Sequence, residues 1–109
     1  MTNPNPKAAV GAEKPALNLI PRAALEDIAA ALADGARKYG AFNYRGVDVR
    51  ASTYYAAALR HLTAWFDGED NAEDSGLSHL GHAMASLAIL SDMIRLGRLT
   101  DDRPLSSGP

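Results

Sequence analysis

Five carboxylates stand within the eight residues from Asp67 to Asp74, and His79 and His82 follow shortly after. Like charges so closely spaced repel one another, and a bound divalent cation reverses that repulsion. Hard oxygen ligands are what Mg²⁺ and Mn²⁺ select, and imidazole beside carboxylate suits Mn²⁺ or a proton transfer near neutral pH. A solvated acidic turn between two helices has the same composition, so the acids alone leave both readings open. The histidines favour a site, because residues three apart share one helix face, here next to the acidic turn. His61, four residues before Trp65, faces the same cleft at most from behind the ligands.

The other half of the chain is cationic. Residues 1–60 hold eight Lys/Arg against five Asp/Glu, and residues 61–109 hold three against eight. Arg37, Lys38, Arg45, Arg50 and Arg60 can clamp phosphate oxygens through charge-assisted hydrogen bonds, although each taken singly is an ordinary surface charge. Tyr39, Phe42, Tyr44 and Trp65 offer flat faces for stacking a base, and Trp65, spaced with Leu62, equally fits a core. A metal-bound nucleoside triphosphate needs a carboxylate cage, cations and a stacking wall, and this chain carries all three.

Several chemistries are excluded. With no cysteine there is neither a disulfide framework, nor a thiolate zinc site, nor a cysteine nucleophile. No Gly-rich loop ends in Lys-Ser or Lys-Thr, no serine sits in a nucleophile elbow, and no adjacent His-Asp pair occurs. A net charge of −2 gives no long-range attraction for nucleic acid. Residues 1–12 contain neither a secretion signal nor a run long enough to span a bilayer, so a cytoplasmic location without a membrane is expected.

These groups must be positioned by helices. Residues 1–12 and 101–109 read as mobile tails around one all-α domain, residues 13–100. A first helix runs from Pro21 to about Tyr39, with Leu25, Ile28, Ala29, Leu32, Ala36 and Tyr39 at helical spacing and Gly40 as its stop. A second, from about Ser52 to Phe66, is expected to be capped by Ser52 or Thr53, to carry Tyr55, Leu59, Leu62 and Trp65 on one face, and to stop at Gly68. A third starts between Ser75 and Ser78 and ends near Leu96. It is apolar or small almost all round from His82 to Ser91, which suits burial on several sides and a homo-oligomer, dimer or tetramer.

Read together, Lys14-Pro-Ala-Leu-Asn18-Leu-Ile-Pro21, Gly35-Ala-Arg-Lys38-Tyr39-Gly40 with Asn43-Tyr44, Arg60-His61-Leu-Thr-Ala-Trp65, Gly68-Glu69-Asp70, and Asp74-Ser-Gly76 with His79-Leu-Gly-His82 resemble the phage dATP/dGTP diphosphohydrolase family. That family includes MazZ-like enzymes related to the all-α MazG-like pyrophosphohydrolases. The resemblance implies an oligomeric MazG-like helical bundle. It also implies hydrolysis of a purine nucleoside triphosphate, dGTP first and then GTP or dATP, to the monophosphate and pyrophosphate with two or more Mg²⁺ or Mn²⁺ ions. In the MazZ-like branch this supplies 2-aminoadenine DNA synthesis, in the host cytoplasm for a phage-encoded chain.

From the acidic turn and the histidines beside it, Glu69, Asp70, Asp74, His79 and His82 are the expected metal ligands, with Glu69, Asp70 and His79 catalytic. Lys38 and Arg60 would neutralise the β and γ phosphates; Tyr39, Asn43 and Trp65 would hold base or sugar; Lys14 and Asn18 would approach from the N-terminal segment. Two departures stand out: the Glu-x-x-Glu, Glu-x-x-Asp signature of MazG proper is absent, and Tyr44 and Asp74 replace the family's usual Trp and Glu. Two competing readings are a non-catalytic helical interaction module and a nucleotide sensor that binds without hydrolysis.

Overall fold

The computed structural model describes residues 5–105, and the outer parts of both expected tails, residues 1–4 and 106–109, lie outside the described residues. The fold is all-helical: α1 (Pro6–Gly11), α2 (Arg22–Tyr39), α3 (Ala51–Phe66) and α4 (His79–Arg95), with 3₁₀ turns at Leu17–Leu19 and Asn43–Gly46. Among the described residues no strand forms, only isolated β-bridges pairing Arg50 with Thr100 and Asn71 with Ser78. α4 is central, with α2 and α3 packed on it from either side.

The helix limits follow local chemistry. Pro21 occupies the N-cap of α2 with φ already near the helical value. Gly40, Gly68 and Gly97 follow the three long helices with φ of 93°, 104° and 68°, a region from which a Cβ is largely excluded. Ser78 caps α4, its Oγ accepting from the backbone N–H groups of Leu80 at 3.1 Å and Gly81 at 3.3 Å.

The α3 cap departs from expectation. Neither Ser52 nor Thr53 occupies the cap: Arg50 does, without a side-chain bond. Asp102 takes over the role, its Oδ1 accepting from Ser52 N–H at 2.8 Å and its other oxygen accepting from the Ser52 hydroxyl. The chain after α4 is laid there by Thr100, whose N–H donates to Val49 O at 2.9 Å and whose carbonyl accepts from Ala51 N–H at 3.0 Å, over a fully buried Val49. Asp102, assigned from sequence to the tail, is therefore tied to the start of α3.

The inward faces of α2 and α3 are only partly the ones the apolar periodicity marks: Ile28 and Ala36 of the expected α2 stripe are shielded, and most of the rest is not. α2 turns Ala24, Asp27, Ile28, Ala31, Asp34 and Gly35 inward, and α3 turns Ala51, Tyr54, Ala58 and His61 inward. The large apolar stripes, Leu25, Leu32 and Tyr39 on α2 and Tyr55, Leu59, Leu62 and Trp65 on α3, remain exposed. Small side chains let the helix backbones approach closely. A Cβ built on Gly81 of α4 would lie 2.7 Å from the Asp27 carbonyl oxygen on α2.

The single chain is consequently open in shape. Its radius of gyration is 17.7 Å, against about 13 Å for a compact domain of 100 residues. It exposes 8339 Å², where a folded monomer of 11.5 kDa exposes roughly 5,800 Å².

Candidate active site

The loop between α3 and α4 is folded despite its charge. Glu69 N–H donates to Ala64 O (3.0 Å), Ala72 N–H to Leu77 O (2.8 Å), Gly76 N–H to Ala72 O (2.8 Å) and His79 N–H to Asp70 O (3.0 Å), and the Ala72 side chain is buried. The loop's carboxylates lie between the negative end of α3 and the positive end of α4, so the second dipole offsets part of the penalty imposed by the first.

Behind this loop the three histidines come together. His61 on α3 and His79 on α4 meet Nδ1 to Nδ1 at 2.9 Å, and His82 stacks on His61 with centroids 4.7 Å apart and planes 16° from parallel. His82 Nε2 pairs with the Ser75 hydroxyl at 2.7 Å, and Ser75 Oγ also accepts from Leu77 N–H at 3.1 Å. Only one proton fits between the two Nδ1 atoms, so each ring must play a different role.

His79 is the buried polar residue of this core, and its Nε2 has no hydrogen-bond partner. Glu69 Oε1 lies 3.2 Å from that nitrogen, within ion-pair distance but not aligned for a hydrogen bond. When His79 donates Nδ1–H to His61, a lone pair on Nε2 faces a carboxylate oxygen. That donor pair is destabilising when empty and suited to a divalent cation. Among the described residues no three His, Asp or Glu side chains converge into a ready-made cage.

Cations flank the cluster. Lys38 Nζ is 3.0 Å from Asp34 Oδ2, and Arg37 is 3.4 Å from Oδ1 of the same carboxylate. The Lys38 hydrogen bond holds the Asp34 carboxyl below its ordinary range, with His82 contributing, and Asp34 followed by Asp74 holds Lys38 above its own. Asp34, Lys38, Asp74 and His82 thus share one electrostatic neighbourhood. Arg60 and Glu69 line a shallow cleft on the other side of α3.

The remaining expected residues are dispersed. Asp70 contributes its backbone carbonyl to the loop, and Asp74 Oδ1 accepts from Ser75 N–H at 2.9 Å. Trp65 lines a separate apolar groove with Leu62 and Phe66, and Tyr39 is 71% exposed. Lys14 and Asn18 lie on an N-terminal segment that is exposed throughout. Asn43 lines a cavity reaching His61 and His82.

Sequence reasoning gave His61 too small a place and missed Asp34 and Ser75. The available signal for His61 was its spacing from Ala51, Tyr54 and Ala58, the small-residue face of α3. Burial is the largest effect pushing the His61 pKa down, followed by the charges of His82 and His79. A histidine depressed in the folded state binds its proton more readily when unfolded, so acidification favours unfolding. For the metal-free protein we expect the urea midpoint to fall as pH drops below about 6.5. The NMR titration of the His61 ring should show a midpoint below that of free histidine.

Three histidines thus cluster in an all-helical fold, one of them buried with an unsatisfied nitrogen beside a carboxylate, and lysine and arginine flank them. Comparison with known proteins identifies the family. Residues 4–103 match the family model described as dATP/dGTP diphosphohydrolase, N-terminal, and the chain belongs to that family. It is 30% identical over 94 residues, 86% of its length, to a dATP/dGTP diphosphohydrolase of Salmonella phage PMBT28. The chain spans about a third of the length of that relative, 32%. No solved structure matches it.

Proposed function

We propose that this chain hydrolyses purine nucleoside triphosphates, dGTP first and dATP or GTP after it, to the monophosphate and pyrophosphate with the help of Mg²⁺ or Mn²⁺. The family match and the name of the phage relative support the reaction. The observation that carries its location is the buried, unpartnered His79 Nε2 beside Glu69. These two residues would hold the first ion, with Asp70 and Asp74 on the same loop available to a second.

Mg²⁺ is commonly held by one or two carboxylates together with substrate phosphates rather than by a closed protein cage, which accords with the open ligand set here. When bound, the ion supplies Lewis acidity at the phosphoryl oxygens and neutralises developing charge. Lys38, beside Asp34, and Arg60, in the cleft with Glu69, bind phosphate oxygens and orient the triphosphate. Burial disfavours the charged form of His61, which can accept a hydrogen bond from His79 Nδ1–H and so leave the His79 Nε2 lone pair facing Glu69.

The exposed stripes on α2 and α3, together with the excess surface, support assembly of two or more copies, with the large apolar faces meeting. Among the described residues no helix is long and apolar enough to cross a membrane, which fits action on the cytoplasmic nucleotide pool, including the supply for 2-aminoadenine DNA. Incubation with each common triphosphate and Mn²⁺ should yield dGMP and pyrophosphate from dGTP faster than product from any pyrimidine. Release of inorganic phosphate with dGDP instead would refute cleavage between the α and β phosphates.

A further inference from the structure

A cavity of about 360 Å³ lies between the C-terminal half of α2, the 40–44 turn and α4. It sits near the lower end of the roughly 300–1,000 Å³ typical of small-molecule sites, room for a base and part of a sugar but not for a whole triphosphate. Gly35 lines it, and a Cβ built there would meet nothing within 4 Å, so a larger side chain at this position has open space to enter. At one end it is lined by His61 and His82, which connect it to the Glu69–His79 pair.

Phe42, also lining this space, is held in the left-handed region at φ 57°, ψ 21°, a costly conformation for an aromatic residue. The Arg45 guanidinium covers one face of its ring at 4.4 Å and is itself held by Asp92 at 2.9 Å, so the platform is braced from behind. The Asn43 amide and the Ser86 hydroxyl line the same cavity and make no hydrogen bond within the described protein. A mostly apolar slot with a braced ring and two unpaired polar groups is what a flat heteroaromatic ligand requires.

We propose that this cavity is the purine subsite. The base stacks on Phe42, and the Asn43 amide pairs with the exocyclic edge, offering a donor and an acceptor that suit either adenine or guanine. The proposal rests on the diphosphohydrolase reading above and adds where the base lies: the phosphates run from the two histidines toward Glu69, and the base points away from them along α2.

The test is NMR titration of the protein with dGMP, alongside steady-state hydrolysis of dGTP. dGMP should shift the signals of Ala36, Phe42 and Ser86. Gly35→Leu, which fills the void from a helical position, should abolish those shifts and raise KM for dGTP at least tenfold while changing kcat far less. Asn43→Ala, on an exposed turn, serves as the second variant and should weaken dGMP in the same assay. Shifts confined elsewhere, no dGMP binding, or Gly35→Leu binding dGMP as tightly as the parent would overturn the subsite. The two readings separate cleanly. dGMP filling the cavity while dGTP stays intact defeats hydrolysis alone, whereas dGTP cleaved with unchanged KM by Gly35→Leu defeats the subsite alone.

Discussion

Replacing Glu69 by Gln is expected to lower kcat for dGTP by about 10²–10³-fold, the typical cost of removing one charged or hydrogen-bonding group that stabilises a transition state. The substitution keeps the size of the side chain and removes its charge. Because the Glu69 side chain is 55% exposed and its loop is held by backbone hydrogen bonds, the fold should survive. The lost element is the carboxylate 3.2 Å from His79 Nε2, leaving that buried nitrogen with no anionic neighbour at hand. Thermal midpoints of parent and variant should agree without metal, and the stabilisation conferred by Mn²⁺ with nucleotide should shrink in the variant. A variant that turns over dGTP at the parental rate under saturating Mn²⁺ would remove Glu69 from the chemistry.

The largest loss of stability is expected from Gly81→Ala. In an open helix this exchange is favourable by about 0.5–1 kcal/mol, because glycine gives up more backbone freedom on folding. Here the new methyl would sit 2.7 Å from a backbone oxygen and 3.2 Å from a backbone carbon of Asp27, neither of which can rotate away. Relieving the overlap requires α2 and α4 to separate, and overpacking of this kind costs roughly 1–3 kcal/mol. The unfavourable effect therefore wins. With about 4–8 °C of Tm per kcal/mol in a domain of this size, the thermal midpoint should fall by on the order of 10 °C. Displacing α2 also moves Asp34 and Lys38 away from His82, so kcat/KM should drop along with Tm. An unchanged midpoint would mean that the two helices do not approach as closely as described.

The sequence announced most limits of the three long helices because local chemistry sets them: Pro21, Gly40, Gly68, Ser78 and Gly97 act within one turn of where they stand. It did not announce α1, since Pro6–Gly11 falls in the stretch read as an N-terminal tail. It could not announce which helix face turns inward. Apolar periodicity marks every face that avoids water, and Leu25 with Tyr39, or Leu62 with Trp65, form stripes that this chain leaves uncovered. The faces that pack are rich in Ala and Gly, small enough to allow close approach, and carry Asp27, Asp34 and His61 among them, so their hydropathy signal is weak. The α3 cap was illegible for a related reason, since its acceptor, Asp102, lies fifty positions downstream of Ser52.

The site divides in the same way. Glu69, His79 and the acidic loop were visible because their spacing is local. His61 was undervalued because its neighbours come from another helix, and the relative rotation of α3 and α4 is set by packing rather than by any single stretch of sequence. The cavity beside Phe42 is walled by α2, the 40–44 turn and α4 together, and a void is a property of the assembled walls.

The claim on which everything else depends is that a divalent ion seats between Glu69 and His79 when nucleotide is present. Paramagnetic broadening by Mn²⁺ tests it directly, with the histidine ring signals followed by NMR in the presence of a non-hydrolysable dGTP analogue. The account predicts that the His79 ring broadens first and His61 next, and that both effects vanish in Glu69→Gln. Saturating Mn²⁺ and analogue that leave the His79 ring sharp, while broadening signals elsewhere, would contradict it.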